Sequence, residues 1–338
     1  MKNILYIGNK LSSSGNTIGG IETLGAQFES IGFKVLYAGK YKNKFLRLYD
    51  MLSSIFLKRK HFDYVVIDTY SSVAFWYAFF SALLCQIFKK KYIHILRGGS
   101  LPSRIKKSQF FSDIMFKKSY LNIAVSNYLY EAFKRYSINT VVIPNNINLR
   151  RYNFKKRLKF NPKILWVRSF MYQYNPNMAA NVIKELIKDY PNVELCMVGP
   201  ERDKSLDDFK TYSNDLNVSK NIKITGLLSK EEWHKLSSNY DIFINTTNVD
   251  NTPISVIECM ALGLPIVSTN VGGIPYLLEN NFDSILVSKN DFSSMAFAIK
   301  RIIENSDFSK RLCLNARKKV ERFDWENVKE SWVKILSE

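Results

Sequence analysis

The sequence predicts an α/β protein of two doubly wound domains, each with a parallel sheet between layers of helices. Three observations lead there. The chain has 338 residues, about twice a typical domain. Short, continuous β-branched runs alternate with helical patterns, as in parallel strands covered on both faces. That alternation breaks once, at the basic, turn-prone stretch Asn148 to Lys163, and then begins again.

In chain order, the first half offers strands at 4–8 (ILYIG), 34–39 (KVLYAG), 64–68 (YVVID), 92–96 (YIHIL), 122–126 (NIAVS) and 140–144 (TVVIP). The second half offers KILWV at 163–167, VELCMVG at 193–199, IKITG at 222–226, DIFIN at 241–245, PIVST at 265–269 and SILV at 284–287. Segment 73–88, VAFWYAFFSALLCQIF, is apolar throughout, but its 16 residues reach only about 24 Å as a helix, against a bilayer core of roughly 30 Å. Lying between two strands, it is expected to be a buried crossover helix. The closing DWENVKESWVKILSE reads as an amphipathic helix over about 325–338, with Asp324 as its cap. The expected domains are therefore 1–158 and 159–324. They would face each other across a cleft at the carboxyl ends of the strands, where open α/β sheets bind ligands.

Composition excludes a disordered chain, with 46% hydrophobic and 23% charged residues. The four cysteines, Cys85, Cys196, Cys259 and Cys313, form no C-x-x-C pair, which argues against a zinc site or disulfide framework and for a reducing compartment. The start, MKNILYIGNK, reads as a first strand rather than the long apolar region of a signal peptide. Charge is distributed unevenly: residues 1–161 hold 27 Lys and Arg against 7 Asp and Glu, and the remainder 22 against 23. The excess points to an anionic partner for the first half, the plain alternative being a solvated basic face. Lys42 to Lys60 places Phe45, Leu48, Met51, Leu52, Ile55 and Phe56 at helical spacing among basic residues. It reads equally as an interfacial helix on anionic lipid or as a core helix with snorkelling lysines. Arg104 to Lys118 repeats the basic and aromatic mixture.

The chemistry concentrates in NVDNTPISVIECMALGLPIVSTNVGG, Asn248 to Gly273. Thr252 suits an N-cap and Pro253 a first helical residue, so a helix should run from Pro253 to about Leu262 and stop at Gly263. The free N–H groups of Ile254 and Ser255 then make a phosphate site at the positive end of the helix dipole. Asp250 lies just ahead of that end and Glu258 about five residues inside it, a pair of acceptors suited to the hydroxyls of a nucleotide sugar. The residues alone leave open a capped surface helix with incidental acids.

The segment Asp250 to Val287 resembles the signature region of the family 4 retaining glycosyltransferases, whose fold is the two-domain GT-B architecture: two Rossmann-like domains facing a cleft. It has the acid, the seven-residue spacing, the Glu, the Gly-x-Pro-Val-Val-like run and the Gly-Gly turn, with Asp250 where Glu is commoner. The resemblance implies that Glu258 accepts from the nucleotide ribose, that Asp250 faces the donor sugar, and that the backbone of Pro253, Ile254 and Ser255 contacts that sugar and its phosphates. Gly19 and Gly20 match the family's N-terminal Gly-Gly turn near the donor diphosphate, where a close backbone approach requires glycine. IAVSNYLYEAF, VVIPNNINLRRY and FDWENVKESW extend the likeness along the chain, the last as a helix returning to the first domain.

Two departures stand out. The second domain of the family opens with Gly-Arg and, shortly after, a Lys for the leaving diphosphate; here Arg168 is present, and Tyr174-Asn175-Pro176 stands where the Lys is expected. Arg168 suits a bidentate phosphate grip. A His usually follows a strand of the first domain; here Arg97 holds that place, with His94 three residues earlier as a strand residue. Arg97, Gly98, Gly99, Ser100 and Arg104 then read as an acceptor-side loop. His61 and His234 lie in polar contexts without metal-like spacing, and no Asp-x-Asp pair occurs. No metal and no cofactor is expected, with the nucleotide diphosphate sugar as donor substrate.

The resulting expectation is a cytoplasmic, membrane-peripheral hexosyltransferase on the inner face of the plasma membrane. Asp250, Arg168 and Arg97 would be its catalytic residues, and the acceptor a glycan or lipid-linked glycan of cell-surface polysaccharide assembly. The implied mechanism is front-face displacement, with the departing diphosphate helping to deprotonate the acceptor and no enzyme nucleophile. An anionic membrane surface is a further expected partner; nucleic acid is not. The rivals are a non-hydrolysing nucleotide-sugar epimerase of GT-B fold, which needs acids and His placed for proton transfer, and a basic nucleic-acid-binding protein, which would leave the Asp250–Glu258 constellation unexplained.

Overall fold

The structure, a computed structural model, describes residues 2–14 and 18–337. The chain forms two compact units, residues 1–144 with 329–338, and residues 145–328. The six basic residues from Arg150 to Lys159 therefore belong to the second unit. One of them, Arg157, is buried and structural there, donating to the carbonyls of Tyr240 (2.8 Å) and Gly263 (2.8 Å).

In the first unit the strands are β1 (Asn3–Ile7), β2 (Lys34–Ala38), β3 (Tyr64–Thr69), β4 (Lys91–Leu96), β5 (Leu121–Ala124) and β6 (Thr140–Val142). They form one parallel sheet in the order β2-β1-β3-β4-β5-β6. Its helices are α1 (Gly20–Ser30), α2 (Lys44–Lys58), α3 (Ala74–Ile87), α4 (Leu101–Lys107), α5 (Gln109–Phe116) and α6 (Asn127–Lys134). The step from β1 to β2 runs opposite to all later steps, so right-handed crossovers place α1 on one face of the sheet and α2, α3 and α5 on the other. Segment 73–88 is indeed the crossover helix α3, with Phe75, Ala78, Ala82 and Cys85 in the core. Among the described residues no helix is long and apolar enough to cross a membrane.

The second unit contains β7 (Lys163–Val167), β8 (Glu194–Val198), β9 (Ile222–Gly226), β10 (Ile242–Asn245), β11 (Ile266–Thr269) and β12 (Ile285–Val287). All pairs are parallel, in the order β12-β11-β10-β7-β8-β9. Strand order reverses where β7 meets β10, the point at which such sheets open a crevice. The helices are α7 (Pro176–Leu186), α8 (Ser205–Asp215), α9 (Lys230–Ser237), α10 (Ile254–Leu262), α11 (Ile274–Leu277), α12 (Phe292–Glu304) and α13 (Ser306–Val320).

A last helix, α14 (Trp325–Ser337), begins in the second unit and re-enters the first at Lys329; residue 338 of the expected helix lies outside the described residues. The Asp324 carboxylate, expected to cap it, accepts from the Leu149 N–H at 3.3 Å. Trp332 packs edge-on against Phe28 of α1 at 5.1 Å, on the face of the first sheet opposite α2 and α3.

Candidate functional site

In the second unit, β7 and β10 end side by side at the order reversal, and each delivers a charged residue there. Arg168 follows β7 directly, and Asp250 lies on the loop after β10. They form an ion pair, and Arg168 also stacks over the Tyr174 ring, 4.7 Å from its centre. The Tyr174-Asn175-Pro176 stretch, at the place the resemblance gives to a phosphate-binding Lys, serves as the entry to α7. Asn175 adopts a left-handed conformation (φ 50°) and its side chain caps Met178 N, with Pro176 as the first helical residue.

The Asp250 loop is held from beneath by Gly272 and Gly273. Gly273 N donates to the Asp250 carbonyl (3.0 Å), and a Cβ on either glycine would collide with the backbone of Asp250 or Asn251. The Gly-Gly turn thus acts by close approach of two chain segments, and Gly272 also needs a left-handed φ of 54°.

Helix α10 starts one residue later than the sequence suggests. Pro253 occupies the N-cap position expected for Thr252, with extended backbone, and Gly263 ends the helix as expected. Every residue from Ser255 to Leu262 is buried, Glu258 included. The Ser255 hydroxyl, in the first turn, is buried and meets no hydrogen-bond partner among the described residues. This N-terminus therefore presents backbone donors beside a spare hydroxyl, an arrangement fit for an anion.

Glu258 is a buried carboxylate, and its surroundings explain how it stays ionised. The Tyr152 hydroxyl donates to Oε1 at 2.8 Å and Lys230 Nζ at 2.9 Å. His234 Nε2 lies 3.8 Å from the same oxygen, beyond direct hydrogen-bond reach, with its ring against those of Tyr152 and Trp233. Burial by itself would raise the Glu258 carboxyl; His234 and Lys230 outweigh it and hold it below the usual range. Burial and the adjacent carboxylate raise the Tyr152 phenol, so it keeps its proton and remains a donor. Tyr152, Lys230 and His234 lie 106, 28 and 24 positions from Glu258, and no local pattern joins them. His234, polar in its sequence context, turns its ring toward Glu258 and against Tyr152.

In the first unit, Gly20 opens α1 directly over Arg97, which follows β4. A Cβ on Gly20 would lie 2.5 Å from the Arg97 guanidinium carbon. Arg97 Nε donates to Asp68 Oδ1 (2.7 Å) and Nη2 to the Tyr6 hydroxyl (3.1 Å), while that hydroxyl donates to Asp68 (3.1 Å). Arg97 is thus one corner of a buried polar cluster at the ends of β1, β3 and β4. Gly19 N donates to the Glu22 carboxylate at 2.8 Å, so a side-chain acid already covers this helix end.

Gly98 packs on Ser71, the Gly99 carbonyl accepts from the Tyr128 hydroxyl at 3.2 Å, and Ser100 precedes α4. Arg104 points elsewhere, stacking over Phe75 (4.5 Å) and Trp76 (5.3 Å). His94 is a strand residue, buried between Tyr92 and Phe116 and hydrogen-bonded to Thr69 Oγ1 at 2.8 Å.

Comparison with known proteins agrees with this architecture. The structure superposes on sucrose-phosphate synthase from Thermosynechococcus elongatus with a TM-score of 0.84 at 14% identity, covering 100% of this chain and 98% of that one. It superposes on Anabaena HepE in complex with UDP-glucose with a TM-score of 0.79 at 15% identity, covering both chains fully. The fold is therefore GT-B, two Rossmann-like domains. In sequence, the chain is 25% identical over 178 residues to the Escherichia coli UDP-Gal:alpha-D-GlcNAc-diphosphoundecaprenol alpha-1,3-galactosyltransferase, covering 48% of this chain and 45% of the relative. It is 25% identical over 169 residues to the Staphylococcus aureus capsular polysaccharide biosynthesis glycosyltransferase CapM, covering 46% and 43%. The chain spans about half the length of the curated relatives it matches. The family model for glycosyl transferases group 1 matches residues 150–319, half of the chain and all of the Arg168–Asp250–Glu258 site. The chain belongs to the group 1 glycosyl transferases.

Proposed function

We propose that this group 1 transferase is a retaining, family 4 enzyme that moves a hexose from a nucleotide diphosphate sugar to a glycan or lipid-linked acceptor in cell-surface polysaccharide synthesis, working in the cytoplasm. One observation carries the reading. A single buried helix, α10, holds an ionised Glu258 inside it, has the Arg168–Asp250 pair ahead of it, and ends in a spare buried hydroxyl between.

In this reading the ribose hydroxyls donate to Glu258, whose Lys230 and Tyr152 partners keep it anionic and aimed. The diphosphate sits at the α10 N-terminus against Ser255 and the backbone of Pro253 and Ile254. Arg168 stabilises the charge that grows on it as the sugar leaves, and Asp250 accepts from the sugar. Because Arg168 is paired with Asp250, donor binding has to share or replace that contact, which couples the two residues. Arg97 and the Gly98–Ser100 loop serve the acceptor side, and Gly19 and Gly20 approach the donor. No metal or cofactor is assigned a role. The UDP-Gal named for the E. coli relative and the UDP-glucose complex of HepE make UDP-sugars the first donors to try. Family membership favours transfer over the epimerase and nucleic-acid readings.

The test is a thermal-shift panel of UDP-, GDP-, ADP- and TDP-sugars on the wild type and Glu258→Gln. At 100 times its dissociation constant a donor should add about 2.7 kcal/mol to wild-type stability. One nucleotide series raising Tm in the wild type alone supports the reading. No shift with any series, or an equal shift in the variant, removes it. An inverted anomeric centre in the product would remove the retaining assignment.

A further inference from the structure

We propose that the outer face of the α2, α3 and α5 layer is a docking surface for an anionic lipid bilayer. The sequence left α2 balanced between a core helix and an interfacial one; the structure shows that it carries two apolar faces. Met51 and Ile55 turn inward and are buried. Phe45, Leu46, Tyr49, Phe56 and Leu57 turn outward, Phe45 being 84% and Tyr49 71% exposed. At 3.6 residues per turn these five fall within about 120° of arc, a continuous stripe that the fold itself does not bury.

The stripe continues across neighbouring helices. Phe56 meets Phe88, just beyond α3, at 5.8 Å, and α3 exposes Phe80, Leu83 and Ile87 at i, i+3 and i+7. Trp76 of α3 meets Phe111 of α5 at 5.2 Å, and Phe110 beside it is 71% exposed. Among the described residues, 12 of the 22 exposed large apolar side chains fall between Tyr41 and Phe111. Their concentration on one helical layer marks an interaction site rather than ordinary scatter.

Charge identifies the occupant. Segments 42–60, 73–91 and 101–118, which make up this layer, hold 14 Lys and Arg against 2 Asp and Glu. On the opposite face of the sheet, α1 has Glu22 and Glu29 and no basic residue. Lys42, Lys44, Lys60, Lys89, Lys106 and Lys107 are all exposed on these same segments. Anionic headgroups meet those lysines while the side chains between them enter the acyl boundary. Nucleic acid would satisfy the lysines but leave Leu46, Leu57, Leu83 and Ile87 without gain. A second copy docking face to face would set one strongly basic surface against another. The proposal does not rest on the transfer reading.

The experiment is co-sedimentation of the full chain with vesicles of phosphatidylcholine alone or with one-third phosphatidylglycerol, at low and high salt. The wild type should pellet with the anionic vesicles and be released by salt. Phe45→Ser with Phe110→Ser, and separately Lys106→Glu with Lys107→Glu, should each weaken partition by about tenfold or more. Phe297→Ser, an exposed Phe of the second unit, should bind as the wild type does. All four proteins should keep the wild-type Tm and the same response to nucleotide sugars, which separates loss of docking from misfolding and from failure of the donor site. The proposal is overturned if the wild type ignores anionic vesicles, or if both double variants bind unchanged. It is equally overturned if the face proves to hold a dimer in solution that Phe45→Ser dissociates.

Discussion

At the scale of single residues, the site depends on charges kept anionic inside the protein. Glu258 is the clearest case, because its folded-state acidity lies below the ordinary value only through its partners. The unfolded chain then takes up the proton first as pH falls, so this stabilisation is complete above the unfolded pKa near 4.5 and is lost as pH drops through the folded value. Removing Lys230 reverses the balance toward the burial effect. For Lys230→Met we expect a loss of about 1–2 kcal/mol at pH 7, discounted from a fully buried pair because the Lys230 side chain is 38% exposed. The loss should shrink toward pH 5, where Glu258 can take a proton. Urea unfolding at both pH values checks this, and an equal deficit at each would refute it. The acids themselves were legible from their spacing in the sequence, whereas Tyr152, Lys230 and His234 were not, because a buried carboxylate recruits partners in space rather than along the chain. Similarly, the glycines of the Gly19-Gly20 turn were legible as a close approach, but not that Gly20 makes room for Arg97.

At the scale of elements, the twelve strands follow the apolar runs closely, and the helix ends follow the caps less well. The pattern of burial is set by period and hydrophobicity, whereas a cap turns on one local hydrogen bond, as the shift of the α10 start from Pro253 to Ile254 shows. Strand β4 carries a titration consequence of its own. Burial lowers the His94 imidazole to about 3, so the folded protein holds it neutral where the unfolded chain protonates it. Its folded pKa lies below the unfolded value of 6.5, so stability should fall as pH drops from about 6.5 toward 3, by about 1.4 kcal/mol per unit for this one group. His94→Leu should flatten that part of the profile in urea unfolding between pH 4.5 and 7. An unchanged slope would mean that another group carries the acid sensitivity.

At the scale of the whole molecule, the chain leaves the first unit at Pro144 and returns to it at Lys329, so that unit is completed by residues from both ends of the sequence. Trp332 is the anchor of that return, 2% exposed and packed on Phe28. Its indole N–H is buried with no partner among the described residues, so its contribution is packing. Trp332→Ala should destabilise the first unit by about 3 kcal/mol, the low end for a buried aromatic, because truncation also removes that unsatisfied donor. Amide exchange should quicken in β1 and α1 and stay slow in β7 and β8. A loss below about 1 kcal/mol would show that the return segment is not structural.

The sequence by itself determined the α/β class, the number of strands, the restart of the pattern near residue 163 and the Asp250–Glu258 spacing on a short helix. Each of these is encoded in neighbouring residues, through period, turn chemistry and helical rise. Only the tertiary structure decided which cations hold the acids, that Arg97 is tied to Asp68 and Tyr6, that Arg104 stacks on aromatic rings, and that α2 keeps a second apolar face outside the core. Those outcomes depend on which segments the parallel crossovers bring together, and residues separated by dozens of positions leave no shared periodic trace in the chain.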